Sequence, residues 1–317
     1  MPVTALYYSD KFVLAKKSFD TTRKAAWIAD SLTTRPMPNV RIVPPSPVTE
    51  AEVLRVHSPA YLEALRTGEP LATATSSTLA WDSGTLTMGL NVCGGVMEAG
   101  KAALRDGVGG TLASGLHHAK RDRGAGFCTL NGLAIAAHTL ADATNGHILI
   151  LDLDAHCGGG THSLIQGHPR LWQMDVSVSA YDDYQPGKRC VKEIVTKAPE
   201  YLKTVGRCLQ WAEAEWPEFA LCLYNAGMDV HQIGGLRGMD DFLITLREEM
   251  VFQWCRERGI PVAYAMAGGY TGGKMTRKRL VDLHRLTIAA ASIAVRSAEK
   301  LVACPLQNKP QQLARKL

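Results

Sequence analysis

The sequence predicts a single-domain α/β protein in which helices cover both faces of a mostly parallel central sheet. Short apolar runs that end in glycine or polar residues alternate along the chain with longer amphipathic runs. The apolar runs are hydrophobic throughout, which is typical of strands buried on both faces. No linker or repeat divides the 317 residues. We therefore treat residues 1–317 as one domain.

Five segments have the length and composition of buried strands, at 110–114, 147–154, 172–179, 219–227 and 261–269. Amphipathic segments predict helices at 49–68, 133–144, 198–216 and 239–259. The last helix has apolar residues at helical spacing, which predict its buried face: Phe242, Leu243, Leu246, Met250 and Trp254.

Composition argues against several classes of function. The net charge of +5 and the isoelectric point of about 8.7 are too weakly basic to indicate a nucleic-acid partner. The basic cluster KMTRKR, at 274–279, is typical of a solvated helix start. We expect neither a signal peptide nor a membrane span. Eight cysteines without a Cys-x-x-Cys pair predict reduced thiols, and hence a cytoplasmic protein.

Polar segments follow four of the predicted strands: GLHHAKRDRGAGF (115–127), DLDAH (152–156), NAGMDVH (225–231) and AGGYTGG (267–273). In parallel sheets, ligands bind at the carboxyl ends of the strands. These four segments are therefore expected to meet at one edge of the sheet and to form the functional site.

The segment DLDAH predicts a cation site. Asp152, Asp154 and His156 alternate along an extended chain and so point to the same side, where two carboxylates repel each other unless a cation lies between them. Asp154 and His156 offer an oxygen and a nitrogen, and Asp229 is the natural third ligand. Three protein ligands leave a coordination position for water, so we expect a catalytic zinc ion, with Fe(II) as the alternative. The simpler interpretation is a pair of polar caps at a strand end.

The remaining polar side chains have the chemistry needed to use a metal-activated water. His117 and His118 are candidates for a proton-transferring base and its electrostatic partner, although histidine pairs in loops are often surface residues. Asp152 is predicted to accept a hydrogen bond from an imidazole rather than to bind metal. Tyr270 is a candidate donor to an oxyanion, or else a packing tyrosine. Together they indicate a metal-dependent hydrolase that attacks a carbonyl.

These segments resemble the active-site segments of the zinc-dependent histone deacetylase family, whose members have the arginase/deacetylase fold. The resemblance covers roughly residues 15 to 300, occurs in the family's order and includes VHSPAYLEAL at 56–65. DRGAGFC, DLDAH, YNAG and GGLRG are most similar to class IV deacetylases.

The resemblance implies a role for each matching residue. Zinc would be bound by Asp154, His156 and Asp229. His118 would be the general base and then acid, with His117 as its partner, paired with Asp152, and Tyr270 would hold the oxyanion. The resemblance also implies an acyl-lysine tunnel and a structural potassium ion. The tunnel would be lined by Gly126, Phe127 and Gly268, and the potassium bound by carbonyls of residues 152–156 with Ser177.

Four departures from the family pattern qualify this interpretation. Gly159 stands where the family has Asp or Asn, so His118 is expected to lack an acidic partner. Cys157 is interpreted as a space-filling residue, with a redox-sensitive thiol as the alternative. His231 is interpreted as a loop residue rather than a second metal ligand. Residues 12–27 lack the family's His-Pro-rich loop, so loops facing the substrate are expected to differ.

Three functions remain open. The chain is expected to be a zinc-dependent amidohydrolase that removes acetyl or longer acyl groups from lysine side chains. The first alternative is a deacetylase of acetylpolyamines or another small amide. The second is a weakened deacetylase fold that serves as a binding module. A binuclear ureohydrolase would need further carboxylates near DAHCGGG, and none is present there.

Overall fold

A parallel sheet of eight strands forms the centre of the computed structural model, which describes residues 4–16 and 20–302. The strands are β1 Thr4–Tyr7, β2 Val40–Val43, β3 Val108–Thr111, β4 His147–Asp152, β5 Leu171–Ser177, β6 Cys190–Ile194, β7 Phe219–Asn225 and β8 Val262–Ala265. Their order across the sheet is β2-β1-β3-β8-β7-β4-β5-β6, and every neighbouring pair is parallel. The predicted α/β class is confirmed.

The helices form one layer on each face of the sheet, as predicted. They are α1 Asp20–Thr34, α2 Glu50–Val53, α3 Pro59–Thr67, α4 Leu71–Ala74, α5 Thr85–Asp106, α6 Gly132–Thr144, α7 Gly159–Ile165, α8 Ala198–Glu215, α9 Asp241–Glu257 and α10 Arg277–Val302, with a 3₁₀ helix at Asp10–Val13. Helices α5, α6 and α7 pack on one face, and α1, α8, α9 and α10 form the layer on the other. Among the described residues, no helix has both the length and the apolar composition needed to span a membrane.

The helix predicted at 49–68 is divided in two. Helix α2 ends at Val53, and α3 begins only at Pro59, with Ser58 as its N-cap accepting a hydrogen bond from the Tyr61 N–H. Ser-Pro is a favourable start for a helix, because the proline lacks an N–H that would have no partner there and the serine satisfies another.

The predicted buried face of α9 is correct only in part: Trp254 is buried and Leu243 and Met250 pack against the core, but the centre of the buried face lies elsewhere on the helix. Phe242 is 66% exposed, and Leu246 and Met250 are only partly buried, although Trp254 is buried as expected. The buried face is formed instead by Ile244, Arg247, Glu248, Val251, Phe252, Trp254 and Cys255. The prediction treated charged residues as solvent-facing, whereas here two adjacent charges point into the protein.

Arg247 and Glu248 are fully buried and neutralise each other. The Arg247 guanidinium donates to Glu248 Oε1 at 2.6 and 2.8 Å, and the Tyr224 hydroxyl donates to the same oxygen at 2.9 Å. Arg247 also donates to the carbonyl oxygen of Leu153 at 3.1 Å. This last bond connects α9 to the chain directly after β4.

We expect Glu248→Ala to destabilise the fold by about 3–5 kcal/mol, because it leaves the Arg247 charge buried without its partner. The measurement is the free energy of unfolding from urea titration. Glu249→Ala is the matched control, since Glu249 is the next residue on the same helix and is exposed. It should change stability by no more than about 0.5 kcal/mol. Equal effects of the two substitutions would contradict a stabilising role of the buried pair.

Candidate metal and catalytic site

Four neighbouring strands at the centre of the sheet carry the polar segments. In sheet order these strands are β3, β8, β7 and β4, and the segments 115–127, 267–273, 225–231 and 152–156 follow them. All four strands are parallel, so their carboxyl ends lie at the same edge. Residues as far apart as 115 and 273 are therefore brought into one site.

Asp154, His156 and Asp229 form a group that can hold a metal ion. One ligand atom from each lies within 4.8 Å of the others. His156 Nδ1 is 3.2 Å from Asp154 Oδ1 and 3.3 Å from Asp229 Oδ2. The side chains of Asp154 and Asp229 are only 2% and 7% exposed, whereas that of His156 is 29% exposed. Two carboxylates and one imidazole are a suitable donor set for a divalent ion such as zinc.

Backbone N–H groups orient these carboxylates but leave one oxygen without a donor. Asp154 accepts from His156 N–H at 3.0 Å and from Gly268 N–H at 2.6 Å. Asp229 Oδ1 accepts from Ala155 N–H at 3.0 Å. Asp229 Oδ2 is buried and receives no backbone N–H, and its close polar neighbour is His156 Nδ1 at 3.3 Å. Burial together with the Asp154 charge raises the pKa of Asp229. A buried carboxylate oxygen in this position fits a metal ligand, because a cation offsets both the loss of hydration on burial and the repulsion between the two carboxylates.

Gly268 lies directly against the two carboxylates. A Cβ atom at this position would lie 1.9 Å from Asp229 Oδ2 and 2.4 Å from Asp154 Oδ2. Only glycine therefore lets the backbone N–H of residue 268 reach Asp154. Gly268, which the resemblance assigned to the tunnel wall, therefore lies next to the proposed metal ligands Asp154 and Asp229.

His117 pairs with Asp152, as the resemblance implies. His117 Nδ1 is 2.8 Å from Asp152 Oδ2, while Asp152 Oδ1 accepts from the Asn225 amide at 2.9 Å. Burial alone would lower the pKa of His117, but the charges of Asp152 and Asp154 outweigh burial and raise that pKa to about 10. Asp152 thus accepts a hydrogen bond from an imidazole, which is the role predicted for it.

His118 has an acidic partner, so the expectation drawn from Gly159 is wrong. His118 Nδ1 lies 3.0 Å from Oδ2 of Asp182, in the loop between β5 and β6. The His117 and His118 rings are 3.9 Å apart, and burial and the neighbouring His117 lower the pKa of His118 to about 4. The two histidines therefore have pKa values far apart, with His117 cationic and His118 neutral near pH 7.

Tyr270 lies at the junction of two cavities. A small inner cavity of about 10 Å³, close to the room that one water needs, is lined by Tyr270 together with His117, His118 and Asp154. An outer cavity of about 820 Å³ lies between the loops after β7 and β8 and is lined by Tyr270 and Asp229. Burial and both nearby carboxylates raise the pKa of Tyr270, so its phenol stays protonated.

Aromatic side chains surround the approach to the histidines. The Phe127 ring lies 5.9 Å from the Tyr270 ring, and Gly126 lies against the His118 ring. Tyr181, which is half exposed, packs edge-on to both His118 and His156 at 4.9 and 5.7 Å. Sequence analysis missed Tyr181, because its loop carries no motif that places it at the site.

The segment 56–65 holds the loop of His117 and His118 in place through hydrogen bonds of His57, a role that the sequence did not indicate. His57 Nε2 accepts from the Asn131 N–H at 3.0 Å, so its Nδ1 donates to the carbonyl of Lys120 at 2.8 Å. The Asn131 amide donates to the carbonyl oxygens of His117 and Ala119.

Three further sequence predictions can be placed. Cys157 is buried, and burial followed by the Asp175 charge raises its pKa to about 12, which disfavours a reactive thiolate. His231 is a loop residue whose ring bonds Asp241 at 3.0 Å and the Ile233 N–H at 3.2 Å. Ser177 is buried and donates to Asp175.

An unassigned lysine also reaches the site. Lys24 of α1 is buried, and its ammonium donates to the carbonyl oxygen of Ala267, next to Gly268. Lys24 lies in the region 12–27, whose departure from the family pattern was noted. Of that region, residues 17–19 lie outside the described residues.

Comparisons with known proteins show what the chain is similar to. The histone deacetylase domain model matches residues 18–284. A protein of Picosynechococcus sp., described as uncharacterized, is 31% identical over 227 residues, covering 68% of this chain and 74% of that protein. Histone deacetylase 2 of Arabidopsis thaliana is 29% identical over 247 residues, covering 72% of this chain. The chain spans 63% of the length of this second relative.

A solved structure has the same fold. The crystal structure of the HDA15 HD domain superposes with a TM-score of 0.75 and covers 95% of both chains. The two sequences are 19% identical, so this similarity concerns the fold alone.

Asp175 generates a prediction about pH and stability. Burial and the Asp152 charge raise the pKa of Asp175 to about 7. Since the folded state holds this proton more tightly than the unfolded chain, the resulting stabilisation is complete below about pH 4 and is lost as the pH rises to about 7. We expect the free energy of unfolding of the wild type, minus that of Asp175→Asn, to fall between about pH 4 and about pH 7 and to level off above that range. Parallel pH curves for the two proteins would contradict the raised pKa.

Proposed function

Because the chain belongs to the histone deacetylase family, we propose that it is a zinc-dependent amidohydrolase that removes acyl groups from lysine side chains. The family match supports a deacetylase. The observation that carries the finer proposal is the group of Asp154, His156 and Asp229, whose two carboxylates are buried, beside one cationic and one neutral histidine.

The proposed metal ion would be held by Asp154, His156 and Asp229. When bound, zinc supplies a positive charge that polarises a carbonyl and lowers the pKa of water. The donor set also suits Fe(II), which is the alternative to zinc. The backbone N–H groups of Ala155, His156 and Gly268 hold the carboxylates in place.

We assign proton transfer to His118. A base must be unprotonated before the reaction, and a pKa of about 4 keeps this imidazole neutral at pH 7. With its Nδ1 turned to Asp182, its Nε2 is the atom available to take a proton from water and to return it to the leaving amine. His117, held cationic by Asp152, supplies a positive charge beside the negative charge that develops on the substrate.

Tyr270 is assigned to the oxyanion. Its phenol remains protonated and lines the same inner cavity as His118 and Asp154. A protonated hydroxyl at this place can donate to the carbonyl oxygen as negative charge develops there. The weakened binding module is disfavoured, because its main support was a His118 without a partner, and Asp182 is that partner.

The substrate proposed is the acyl-lysine of a peptide or protein, with an acetylpolyamine or another small amide as the alternative. The outer cavity of about 820 Å³ beside Tyr270 supports acyl groups longer than acetyl, in line with the class IV resemblance. A structural potassium ion near Ser177 and a cytoplasmic location also stay proposals. The seven cysteines among the described residues carry free thiols, which supports a reducing compartment.

We expect Tyr270→Phe to lower kcat for ε-acetyl- or ε-myristoyl-lysine peptides by roughly 10²–10³-fold, because one oxyanion donor is lost. Zinc content should remain one ion per chain. Tyr264→Phe is the matched control, since the buried hydroxyl of Tyr264, six residues earlier, has no hydrogen-bond partner. The preferred acyl chain, with acetylated putrescine in the same panel, decides among the substrates. Equal turnover of Tyr270→Phe and wild type would exclude the proposed role.

We expect Asp229→Asn to lose zinc, measured by elemental analysis after dialysis, because the amide supplies no negative charge to the ion. The wild type should also melt at a higher temperature with added zinc than with a chelator, since binding to the folded state stabilises it. The control is Asp142→Asn, whose carboxylate is 48% exposed on the surface. If both variants retain one zinc per chain, the ion is bound elsewhere.

A further inference from the structure

The carboxylate of Asp182 lies at the centre of a hydrogen-bonded cluster beside His118. Its Oδ2 atom lies 3.0 Å from His118 Nδ1 and accepts from the Gly160 N–H at 2.9 Å. Its Oδ1 atom pairs with the Lys120 ammonium at 2.7 Å. The side chains of Asp182 and His118 are 8% and 5% exposed, so water competes little for these bonds. Three donors thus fix the carboxylate in one orientation.

The glycine at position 159 makes this arrangement possible. A Cβ atom there would lie 2.2 Å from the carbonyl oxygen of Asp182 and 2.9 Å from its carboxylate carbon. Any side chain at 159 would therefore displace Asp182 from His118. Asp182 itself has a φ of 57°, a left-handed conformation that aspartate tolerates better than most residues. The loop between β5 and β6 therefore brings Asp182 to His118 because Gly159, at the start of α7, has no side chain in the way.

The contact determines which nitrogen of His118 carries the proton. A carboxylate accepts hydrogen bonds, so Nδ1 must be the donor and Nε2 is left with its lone pair. His118 lines the inner cavity with His117, Asp154 and Tyr270. The free lone pair is the group that a proton-accepting histidine must offer there.

We propose that Asp182 is a positioning residue that holds His118 in its Nδ1–H tautomer, and that Lys120 fixes the carboxylate in turn. The consequence for turnover rests on the proposed function, whereas the tautomer of His118 does not. The polar contacts of Asp182 described above go to His118, Gly160 and Lys120 and to none of the three proposed metal ligands. Its removal should therefore affect the base and leave the metal in place.

A purely structural role for Asp182 is the competing explanation. Its bond to the Gly160 N–H also ties the loop after β5 to the start of α7. Loss of that bond alone would lower stability without a specific change at His118. The test must therefore observe the imidazole directly.

The experiment measures the ¹⁵N chemical shifts of the His118 ring in zinc-loaded, histidine-labelled protein, assigned by comparison with His118→Gln. The wild type should have a protonated Nδ1 and an unprotonated Nε2. Asp182→Ala should shift the ring toward the Nε2–H form. Asp182→Asn keeps the side-chain shape but has one acceptor oxygen for three donors, so it should lie between the two. Should Asp182→Ala fail to fold, Asp182→Asn decides the outcome.

Activity and a matched control complete the experiment. Asp182→Ala should lower kcat for the best acyl-lysine peptide roughly 10- to 100-fold, with KM within about twofold and one zinc retained. Asp183→Ala is the control, because Asp183 is adjacent in sequence, is 46% exposed and pairs with Lys192 instead. It should leave both the His118 spectrum and kcat unchanged.

Two results would overturn the proposal: a His118 tautomer unaffected by the loss of Asp182, or equal losses of kcat in Asp182→Ala and Asp183→Ala. Failure of the proposed function is a separate outcome. If the wild type hydrolyses no amide in the panel, the amidohydrolase is rejected, and the tautomer measurement still decides whether Asp182 positions His118.

Discussion

The main constraint on this structure is the burial of four aspartates close together at the carboxyl ends of parallel strands. Asp152, Asp154 and Asp175 are almost completely inaccessible to water, and the side chain of Asp229 is 7% exposed. Asp152 repels Asp175, and Asp154 repels Asp229. Burial of such charges is costly unless hydrogen bonds and positive charges compensate. Much of the surrounding structure serves this purpose. Backbone N–H groups of the following loops donate to the carboxylates, His117 carries a positive charge beside two of them, and the remaining Asp229 oxygen suits a metal ion.

The same environment gives two adjacent histidines different tasks. Both side chains are imidazoles, both are buried, and their ring centroids lie 3.9 Å apart. The difference between them must therefore come from their neighbours. Asp152 favours the cationic form of His117, and that cation in turn disfavours a second charge on His118. A cationic and a neutral imidazole can thus coexist in one site because each pKa is set by its neighbours.

The centre of the sheet could be predicted from the sequence, and its edges could not. The predicted segments overlap β3, β4, β5, β7 and β8, which are almost wholly buried. Strands β2 and β6 are partly exposed and contain charged residues, so they lack an apolar run. The metal group could be proposed because its residues follow buried strands. Asp182 could not, since it lies 64 positions from His118 in a loop without a motif. The buried face of α9 was misjudged for a related reason: sequence periodicity cannot reveal that Arg247 and Glu248 neutralise each other inside the protein.

The close approach of Gly159 and Asp182 also limits which substitutions this site can tolerate. The loop between β5 and β6 can hold the Asp182 carboxylate beside His118 only with glycine at 159, because a Cβ atom at 159 would lie 2.2 Å from the carbonyl oxygen of Asp182. A side chain at 159 is tolerable only where that loop has a different conformation, so the effect of a substitution at 159 depends on the loop that carries Asp182. A search that requires an acid at position 159 would classify this chain as defective, although its carboxylate is supplied from a different part of the sequence.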